Sequence, residues 1–261
     1  MRTQTALITG ASSGIGFELS KLFARNGYNL IMISQNKARL HTAANGLQQQ
    51  YPNIKIHCLP MDLSQPSSPQ EIYTYSKENA ITVDILVNNA GIQVYGNFHE
   101  VVLADYMRLM SVNMNAMVVL TGLFVKDMCA RKSGRILNIG STGSFSPCPL
   151  NAIYCASKAF VLHFSEAIAE ELKGTGVTVT TLCPGATKTN FAQRAGIEHI
   201  RMFSGLTMKA DRVAAIGYQA LIRGKPVVVA GFHNKLLVSS IRVSPRKLVV
   251  KMGGSLMRIK K

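Results

Sequence analysis

The chain has 261 residues, of which 47% are hydrophobic and 16% charged, so it can build a packed core and is not an intrinsically disordered chain. Its five cysteines are widely spaced and form neither a Cys-x-x-Cys pair nor a cluster with metal-ligand spacing, which predicts free thiols and no metal site. The net charge of +16 is concentrated in the tail, because eleven basic residues and no acidic one follow Asp211.

The apolar segments, taken in chain order, predict an α/β fold. Strands are expected at residues 6–8, 30–33, 54–59, 85–87, 135–139, 177–182 and 227–230. Helices are expected between them at residues 16–26, 37–50, 104–127, 154–172 and 210–223, and residues 60–69 are expected to form a polar loop. Strands this apolar are typical of a sheet buried on both faces, and strict alternation with helices predicts a doubly wound parallel sheet.

The location of the protein is predicted from what the sequence lacks. No uninterrupted run of eighteen apolar residues is present, so we expect no transmembrane helix. The first apolar run is too short for the core of a signal peptide. We therefore expect a cytoplasmic protein.

The first turn, Thr9-Gly10-Ala11-Ser12-Ser13-Gly14-Ile15-Gly16, lies between a predicted strand and a predicted helix. Glycines there allow a tight turn and a close approach of a pyrophosphate, whose charge would face the positive end of the helix. An ordinary strand-to-helix turn is the alternative. The strand before and the helix after the turn favour nucleotide binding.

The end of the second predicted strand bears on the choice between NAD(H) and NADP(H). Folds that bind NAD commonly place a carboxylate there for the ribose 2′-hydroxyl. This chain has Ser34-Gln35-Asn36-Lys37 instead, followed by Arg39. We therefore predict NADP(H), with NAD(H) as the alternative, because no carboxylate at this position would repel a 2′-phosphate.

Tyr154 and Lys158 lie four residues apart at the start of a predicted helix, so their side chains share one face. A nearby ammonium favours the phenolate, which predicts a lowered tyrosine pKa suited to proton exchange between a carbonyl and an alcohol. Ser141 follows the strand predicted at residues 135–139, where its hydroxyl would meet the reacting oxygen. Taken alone, the tyrosine–lysine spacing is also compatible with a solvated helix face.

The complete set of motifs resembles the short-chain dehydrogenase/reductase family. It consists of Thr-Gly-x-x-x-Gly-Ile-Gly, Asp62, Asn88-Asn89-Ala90-Gly91, Asn113, Ser141, Tyr154-x-x-x-Lys158 and Pro184-Gly185, and it extends over residues 5–230. The resemblance implies a Rossmann-type domain with about seven parallel strands flanked by helices. It also implies NAD(P)-dependent hydride transfer, commonly in a homodimer or homotetramer.

The same resemblance implies roles for individual residues. The catalytic residues would be Asn113, which holds a water in a proton relay, Ser141, which orients the carbonyl, Tyr154, which exchanges its proton, and Lys158. Asn88 would brace the sheet. The cofactor would be bound by Gly10, Ser12, Ser13, Gly14, Ile15, Gly16, Gln35, Asp62, Leu63, Asn89, Tyr154, Lys158, Pro184, Gly185, Thr187 and Thr189.

Residues 1–232 are predicted as the catalytic domain and residues 233–261 as a basic amphipathic extension. On a helical wheel from Lys247, one face carries apolar side chains and the opposite face basic ones. Packing of the apolar face on the domain or on a second subunit is the first interpretation, and binding to the surface of an anionic membrane, which such a helix also suits, is the alternative. Pro245 should start or break this helix, and Gly253-Gly254 should weaken it by about 1 kcal/mol each.

The substrate segments are predicted at residues 93–95, 143–150 and 191–203, where apolar side chains suit a lipophilic carbonyl or alcohol. We therefore predict an NAD(P)(H)-dependent oxidoreductase acting on an apolar substrate that is acyl, lipid or steroid-like. A cofactor-binding regulatory or scaffold protein without catalysis is the alternative. Nucleic acid is not expected as a partner, because no aromatic residues are interleaved with the basic tail.

Overall fold

The strands and helices follow the predicted alternation. The computed structural model describes residues 3–201 and 206–259. The strands are β1 (Thr5–Thr9), β2 (Asn29–Ser34), β3 (Ile56–Pro60), β4 (Ile85–Asn88), β5 (Gly134–Ile139), β6 (Val177–Cys183), β7 (Thr187–Lys188), β8 (Met208–Lys209) and β9 (Val227–Val229). The helices are α1 (Gly14–Arg25), α2 (Lys37–Gln50), α3 (Ser68–Glu78), α4 (Leu103–Met110), α5 (Ala116–Ala130), α6 (Ala152–Glu171), α7 (Asn190–Arg194), α8 (Ala210–Ile222), α9 (Phe232–Val243) and α10 (Arg246–Met257).

The main sheet has the strand order β3-β2-β1-β4-β5-β6-β9, and every neighbouring pair is parallel. Helices α1, α2 and α8 pack on one face through a cluster that includes Leu19, Leu40 and Val213. Helices α3 and α5 cover the other face, with Ile72 and Phe124 in the core. The prediction of a doubly wound sheet of about seven parallel strands is therefore confirmed for the described residues.

Helix α3 is a difference from the sequence prediction, which has a loop over residues 60–69 and no helix after it. The helix contains few apolar residues, and Ile72 is its main contribution to the core. Pro69 lies in its first turn, where proline is compatible with a helix start. The apolar periodicity is therefore too sparse to reveal a helix that tertiary packing stabilises.

The long helix predicted at residues 104–127 is interrupted. A π-helical turn, Ser111–Asn115, separates α4 from α5 and contains the buried Asn113. By length and composition, Leu103–Ala130 is apolar enough to cross a membrane, but 44% of its most apolar window is buried inside the domain. A core helix satisfies the same criterion, and α5 packs here against the sheet.

The helix predicted near the C-terminus is α10, which begins directly after Pro245. Val249, Gly253 and Met257 are buried against the domain, whereas Leu248 and Met252 are exposed. The predicted apolar face is thus divided between packing and solvent. The two glycines have a packing reason, because a Cβ on Gly253 would lie 2.7 Å from the carbonyl oxygen of Pro147. The division of the chain after residue 232 stays a prediction.

A buried polar network crosses the sheet below the site. The Asn88 amide donates to Thr121 Oγ1 at 3.1 Å and to Asn138 Oδ1 at 2.9 Å. The Asn138 amide donates in turn to Ser165 Oγ at 2.8 Å. Asn88 therefore joins neighbouring strands and α5, as expected for a residue that braces the sheet.

Two buried polar residues on the neighbouring strands β5 and β6 should differ in how their replacement affects stability, because only the first of them belongs to this network. Asn138→Ala should lower the free energy of unfolding by about 2 kcal/mol, because it leaves buried partners unsatisfied. Thr180→Val is the matched control, since the buried Thr180 hydroxyl has no hydrogen-bond partner among the described residues. The control should leave stability unchanged or raise it. Urea denaturation of both variants tests this, and equal losses would contradict it.

Candidate active site

A cavity of about 480 Å³ lies at the carboxyl ends of the strands. Its walls include residues that follow β1, β2, β4, β5 and β6. The strand order reverses between β1 and β4, and ligands of such folds bind at this position. Of the residues predicted for the site, Gly16 and Asn113 do not line this cavity. All the others do, namely Gly10, Ser12, Ser13, Gly14, Ile15, Gln35, Asp62, Leu63, Asn89, Ser141, Tyr154, Lys158, Pro184, Gly185, Thr187 and Thr189.

The turn after β1 presents backbone N–H groups to the cavity. Gly10 and Gly14 have φ angles of 66° and 58°, a region that favours glycine. Ser13 occupies the N-cap of α1, but its side chain makes no capping hydrogen bond, and the first turn contains no acidic residue. The helix N-terminus therefore keeps free donors and an uncompensated positive end, which fits the pyrophosphate of a dinucleotide.

Gly16 and the amide of Asn89 hold this turn from behind. A Cβ on Gly16 would lie 2.3 Å from the Gly10 carbonyl oxygen and 2.4 Å from Asn89 Nδ2. The Asn89 amide donates to the Thr9 carbonyl at 2.8 Å and to the Gly10 carbonyl at 3.3 Å. We therefore replace the predicted cofactor contact of Gly16 by a packing role, whereas Asn89 also reaches the cavity wall.

The far end of the cavity carries a polar cluster that includes one residue absent from the sequence prediction. Gln35 Nε2 donates to Asp62 Oδ2 at 2.9 Å, and Arg108 of α4 donates to Gln35 Oε1 at 3.1 Å. Arg108 also lies 3.5 Å from Asp62 Oδ2. Arg108 and Val112 are four residues apart and both line the cavity, but nothing in the sequence shows which side of their helix faces it.

Asp62 remains ionised in this cluster. Partial burial acts to raise its pKa, but hydrogen bonds from the backbone and hydroxyl of Ser64 and the charge of Arg108 outweigh that effect. The pKa of Asp62 is therefore below its usual value. Because Arg108 compensates this carboxylate, the end of the cavity is not strongly acidic.

The basic residues suggested for a 2′-phosphate separate in the structure. Arg39 lines the cavity, whereas Lys37 is not among the described residues that do. Arg39 is in the first turn of α2, where its backbone N–H is capped by Asn36 Oδ1 at 2.8 Å. The Ser12 and Ser34 hydroxyls are hydrogen-bonded across this part of the wall at 2.7 Å.

Tyr154, Lys158 and Ser141 converge at the other end of the cavity. Lys158 is 5% exposed, and its Nζ donates to the Ile139 carbonyl at 2.8 Å and lies 5.8 Å from the centre of the Tyr154 ring. Ser141 Oγ accepts the Gly143 N–H at 3.0 Å, which leaves its own hydrogen available for donation. Ser144 fixes this arrangement by donating to the Lys158 carbonyl at 2.7 Å.

The structure corrects the predicted pKa of Tyr154. Burial raises the pKa of its phenol, and the neighbouring Cys155 and Cys148 side chains raise it further, while the hydrogen bond with Ser141 only partly opposes this. Burial also lowers the pKa of Lys158 to about 8. The predicted lowering of the Tyr154 pKa is therefore wrong, because burial outweighs the effect of the neighbouring Lys158 ammonium, and Tyr154 is a protonated donor at neutral pH.

Two thiols adjoin the tyrosine and were not expected in the site. Cys155 lines the cavity, and Cys148 belongs to the same buried cluster. The hydrogen bond with Cys155 lowers the pKa of Cys148 to about 7, although burial opposes the shift. The same hydrogen bond and burial raise the pKa of Cys155. Partial thiolate character at Cys148 therefore helps to keep Tyr154 protonated.

Asn113 lies behind Lys158 rather than on the main cavity wall. Its Oδ1 accepts the Ile92 N–H at 2.9 Å, and its Nδ2 donates to the Ile92 carbonyl at 3.0 Å and to Ser157 Oγ at 3.1 Å. A separate cavity of about 10 Å³ is bordered by Asn113 and Lys158, close to the minimum that holds one water molecule. The π-helical turn thus positions Asn113, and its role in a proton relay stays a prediction.

The segment after β6 closes the cavity from above. Thr142 N–H donates to the Pro184 carbonyl at 2.8 Å, and Thr187 Oγ1 donates to the Gly185 carbonyl at 2.9 Å. A Cβ on Gly185 would lie 2.4 Å from Asn234 Oδ1, so this turn packs directly against α9. Thr189 caps α7 by accepting the Phe191 N–H.

The substrate end is only partly as predicted. Phe191 lines the cavity, with its ring centre 6.0 Å from that of Tyr154, and residues 202 and 203 of the third predicted segment lie outside the described residues. Asn151 and Met257 also line it, and Tyr95 donates to the Met257 carbonyl at 2.6 Å. Sequence spacing did not reveal Met257, because a residue of the C-terminal helix reaches this wall only through tertiary packing.

No group of three or more His, Cys, Asp or Glu side chains in the described part of the chain could hold a metal ion.

A family model for the short chain dehydrogenases matches residues 4–199. The chain belongs to the short-chain dehydrogenase/reductase family. Members of this family use NAD(P)(H), and this chain is accordingly an oxidoreductase that acts on CH–OH or keto groups.

Relatives within the family differ in how much of the chain they cover. A ketoacyl reductase, HetN, of a Nostoc species is 27% identical over 93% of this chain and 85% of its own. A very-long-chain 3-oxoacyl-CoA reductase of Phaeosphaeria nodorum is 36% identical over 67% of this chain, which spans about half the length of that relative, 52%. A solved short-chain dehydrogenase of Sphingobium yanoikuyae, in complex with NADPH, is 30% identical over 94% of both chains with a TM-score of 0.83.

Burial of the Lys158 ammonium should lower the free energy of unfolding in a pH-dependent way. Below about pH 8 the folded protein bears the full penalty of a buried charge, about 3 kcal/mol for a pKa lowered from 10.5 to about 8. Between pH 8 and 10.5 only the unfolded chain keeps that proton, so the penalty disappears as pH rises. Lys158→Met should therefore be more stable than the wild type at pH 7, by a margin that shrinks toward pH 10.5.

Urea denaturation across this pH range measures the margin. The exposed Lys225, replaced by methionine, supplies the baseline. A margin that is independent of pH, or a variant less stable than the wild type at pH 7, would contradict the burial penalty.

Proposed function

We propose that this protein is an NADP(H)-preferring oxidoreductase that interconverts a carbonyl and an alcohol on a lipophilic, acyl-type substrate. One observation carries the proposal. A single cavity joins an uncapped helix N-terminus, suited to a pyrophosphate, to a buried lysine and a partly buried tyrosine and serine at its other end. Reaction at a carbonyl beside a nicotinamide needs both ends in one cleft.

When bound, the nicotinamide cofactor supplies or accepts the hydride. Gly10, Ser12, Gly14 and Ile15 would hold its phosphates and Lys158 its nicotinamide ribose. The residues fit such a cofactor, because the turn is shaped by positive-φ glycines and its donors face the cavity. These assignments come from the family motifs together with the placement of each residue on the cavity wall.

The proton step belongs to Tyr154 and Ser141. Tyr154 remains protonated at neutral pH, so in the reductive direction it can give its proton to the substrate oxygen as negative charge develops there. Ser141 donates a second hydrogen bond to the same oxygen, since its Oγ is already held by Gly143. Lys158 supplies a buried positive charge behind the tyrosine ring, which favours the phenolate left after transfer.

The burial of Lys158 also argues against a regulatory or scaffold protein that retains only the fold. A buried ammonium whose one hydrogen bond among the described residues goes to Ile139 costs stability that a hydrophobic residue would not. A protein without catalysis has no physical need for such a group beside the partly buried phenol of Tyr154. A buried charge that lowers the stability of the folded protein is typical of a functional site.

Support for NADP(H) comes from the end of β2. Ser34, Gln35 and Asn36 bring no carboxylate to the ribose side of the cavity, whereas Arg39 lines it. The nearby Asp62 is paired with Arg108, which limits its repulsion of a phosphate. The related dehydrogenase of Sphingobium yanoikuyae was solved with NADPH.

Support for an acyl-type substrate comes from the wall beyond Tyr154. Ile92, Phe191, Ala195 and Met257 give it an apolar character, with Asn151 as a polar element. The names of two relatives, a ketoacyl reductase and a very-long-chain 3-oxoacyl-CoA reductase, point to 3-oxoacyl compounds for those proteins. A steroid-like ring is the second candidate shape for the same wall.

We further propose a homodimer or homotetramer in the cytoplasm. Val119 on α5 and Phe160 on α6 are large apolar side chains that remain exposed on the single chain. Phe160 stacks on Phe164, with ring centres 5.8 Å apart, which presents a flat apolar surface. Burial of these groups in a subunit interface would remove them from water.

Replacing Tyr154 by phenylalanine tests the catalytic assignment. Tyr154→Phe should lower kcat by about two to four orders of magnitude, because it keeps the ring and removes the proton donor. The assay follows NADPH oxidation with ketones and 3-oxoacyl thioesters graded by chain length. Tyr218→Phe, in the core cluster on the opposite side of the sheet from α5, should keep normal activity. A Tyr154→Phe variant with near-normal kcat would refute the assignment.

Cofactor choice is tested by a pair of basic residues. Arg39→Gln should lower kcat/KM for NADPH about tenfold to a hundredfold, since a charge-assisted hydrogen bond is lost, and should leave NADH unaffected. Lys37→Gln is the matched control, because Lys37 is exposed and is not among the described lining residues. Equal losses for both cofactors, or a wild type that prefers NADH, would overturn the preference.

A further inference from the structure

Helix α9 turns an apolar stripe toward solvent. Phe232, Leu236 and Val243 are 75%, 57% and 85% exposed. At 100° per residue these three positions lie within about 40° of one another on the helix. Asn234 and Val238, on the other side, are buried against the domain. The three side chains therefore share the face opposite the packed one, with Ser239 and Ser240 between Leu236 and Val243.

Helix α10 has the same arrangement. Val249, Gly253 and Met257 form its packed face. The exposed apolar side chains of the helix, Leu248, Met252 and Leu256, lie on the wheel beside this packed face, spread over about 80°, and the exposed Ile259 follows the end of the helix. Only Ser244 and Pro245 separate the two helices in the sequence. Two successive helices thus each keep an apolar stripe outside the core.

Basic side chains flank both stripes. Lys235 and Arg242 lie beside the stripe of α9, and Lys247, Lys251 and Arg258 beside that of α10, and all five are exposed. No acidic residue follows Asp211, so neither helix carries a negative side chain. An apolar line bordered by exposed positive charge is complementary to a surface that is apolar within and anionic at its boundary.

This charge distribution selects among the surfaces that could cover the stripes. In a two-fold symmetric dimer the same patch meets its own copy, which would bring these positive charges together without a compensating acidic residue. Nucleic acid would neutralise the charge but would leave the apolar stripes in water. An anionic lipid bilayer satisfies both the apolar and the basic groups.

We propose that the outward faces of α9 and α10 bind the surface of an anionic membrane. The packed side of α10 is at the same time a wall of the substrate cavity, through Met257 and its hydrogen bond from Tyr95. The bilayer therefore lies on the side of the molecule where substrate binds, and it is the source of the lipophilic carbonyl compound. This last step rests on the proposed function, whereas the membrane contact does not.

Vesicle sedimentation of the full chain tests the contact. The wild type should sediment with vesicles of equal parts phosphatidylglycerol and phosphatidylcholine, should bind phosphatidylcholine vesicles far more weakly, and should be released by salt. Leu236→Glu on α9 and Met252→Glu on α10 should each lower the partition coefficient about tenfold, because each removes apolar contact and adds repulsion. A Lys247→Gln/Lys251→Gln variant, which leaves the apolar stripes intact, should act in the same direction.

Leu103→Glu is the matched control, since Leu103 is an exposed apolar residue on α4. It should bind like the wild type. Equal binding to neutral and anionic vesicles, no binding by the wild type, or unchanged binding by the α9 and α10 variants would overturn the proposal. A wild-type oligomer in solution that both glutamate variants dissociate would show that a second copy covers these faces, and would overturn it too.

An activity measurement separates this proposal from the proposed function. With a water-soluble ketone, wild type and both glutamate variants should turn over at equal rates. With a long-chain ketone dissolved in the anionic vesicles, the variants should be slower by the factor that they lose in binding. If no carbonyl compound is reduced, the proposed function fails, while the sedimentation result still decides the membrane contact.

Discussion

The ammonium group of Lys158 is buried at the carboxyl end of β5, and the arrangement of the active site depends on how the fold holds it there. The ammonium donates a hydrogen bond to a backbone carbonyl at the end of a strand, and the Lys158 main chain is held by Ser144. The parallel sheet makes this possible, because β4, β5 and β6 end at the same edge. The buried positive charge of Lys158 disfavours the folded state. It becomes stabilising when the phenolate of Tyr154 forms beside it.

The nucleotide end of the cavity is also preorganised for its ligand. Asn89 and Gly16 fix the turn after β1 from behind, so the donors at the start of α1 already face the cavity. A ligand that meets donors already in place loses less conformational freedom of the protein on binding. Asp62 and Arg108 neutralise one another in a similar way at the opposite wall.

Local patterns in the sequence were sufficient for much of this site. The glycine turn, the tyrosine–lysine pair and Ser141 are each recognised from a few neighbouring residues, and the alternation of apolar segments predicts the sheet. Arg108 and Met257 were missed because each reaches the cavity through packing between elements distant in sequence. Helix α3 was missed because its apolar residues are too few, and the pKa of Tyr154 was wrongly predicted because burial outweighs the neighbouring charge.

Helix α10 closes the substrate end with two consecutive glycines at its point of closest contact. Without side chains there, the helix approaches Pro147 and Pro149 closely enough that any Cβ would collide with the Pro147 carbonyl or press on the Pro149 ring. Glycine also lowers the intrinsic stability of a helix, by about 1 kcal/mol relative to alanine. One wall of the substrate end is consequently a helix of lowered intrinsic stability, and its local opening would change access to the cavity while the sheet and its catalytic groups stay in place.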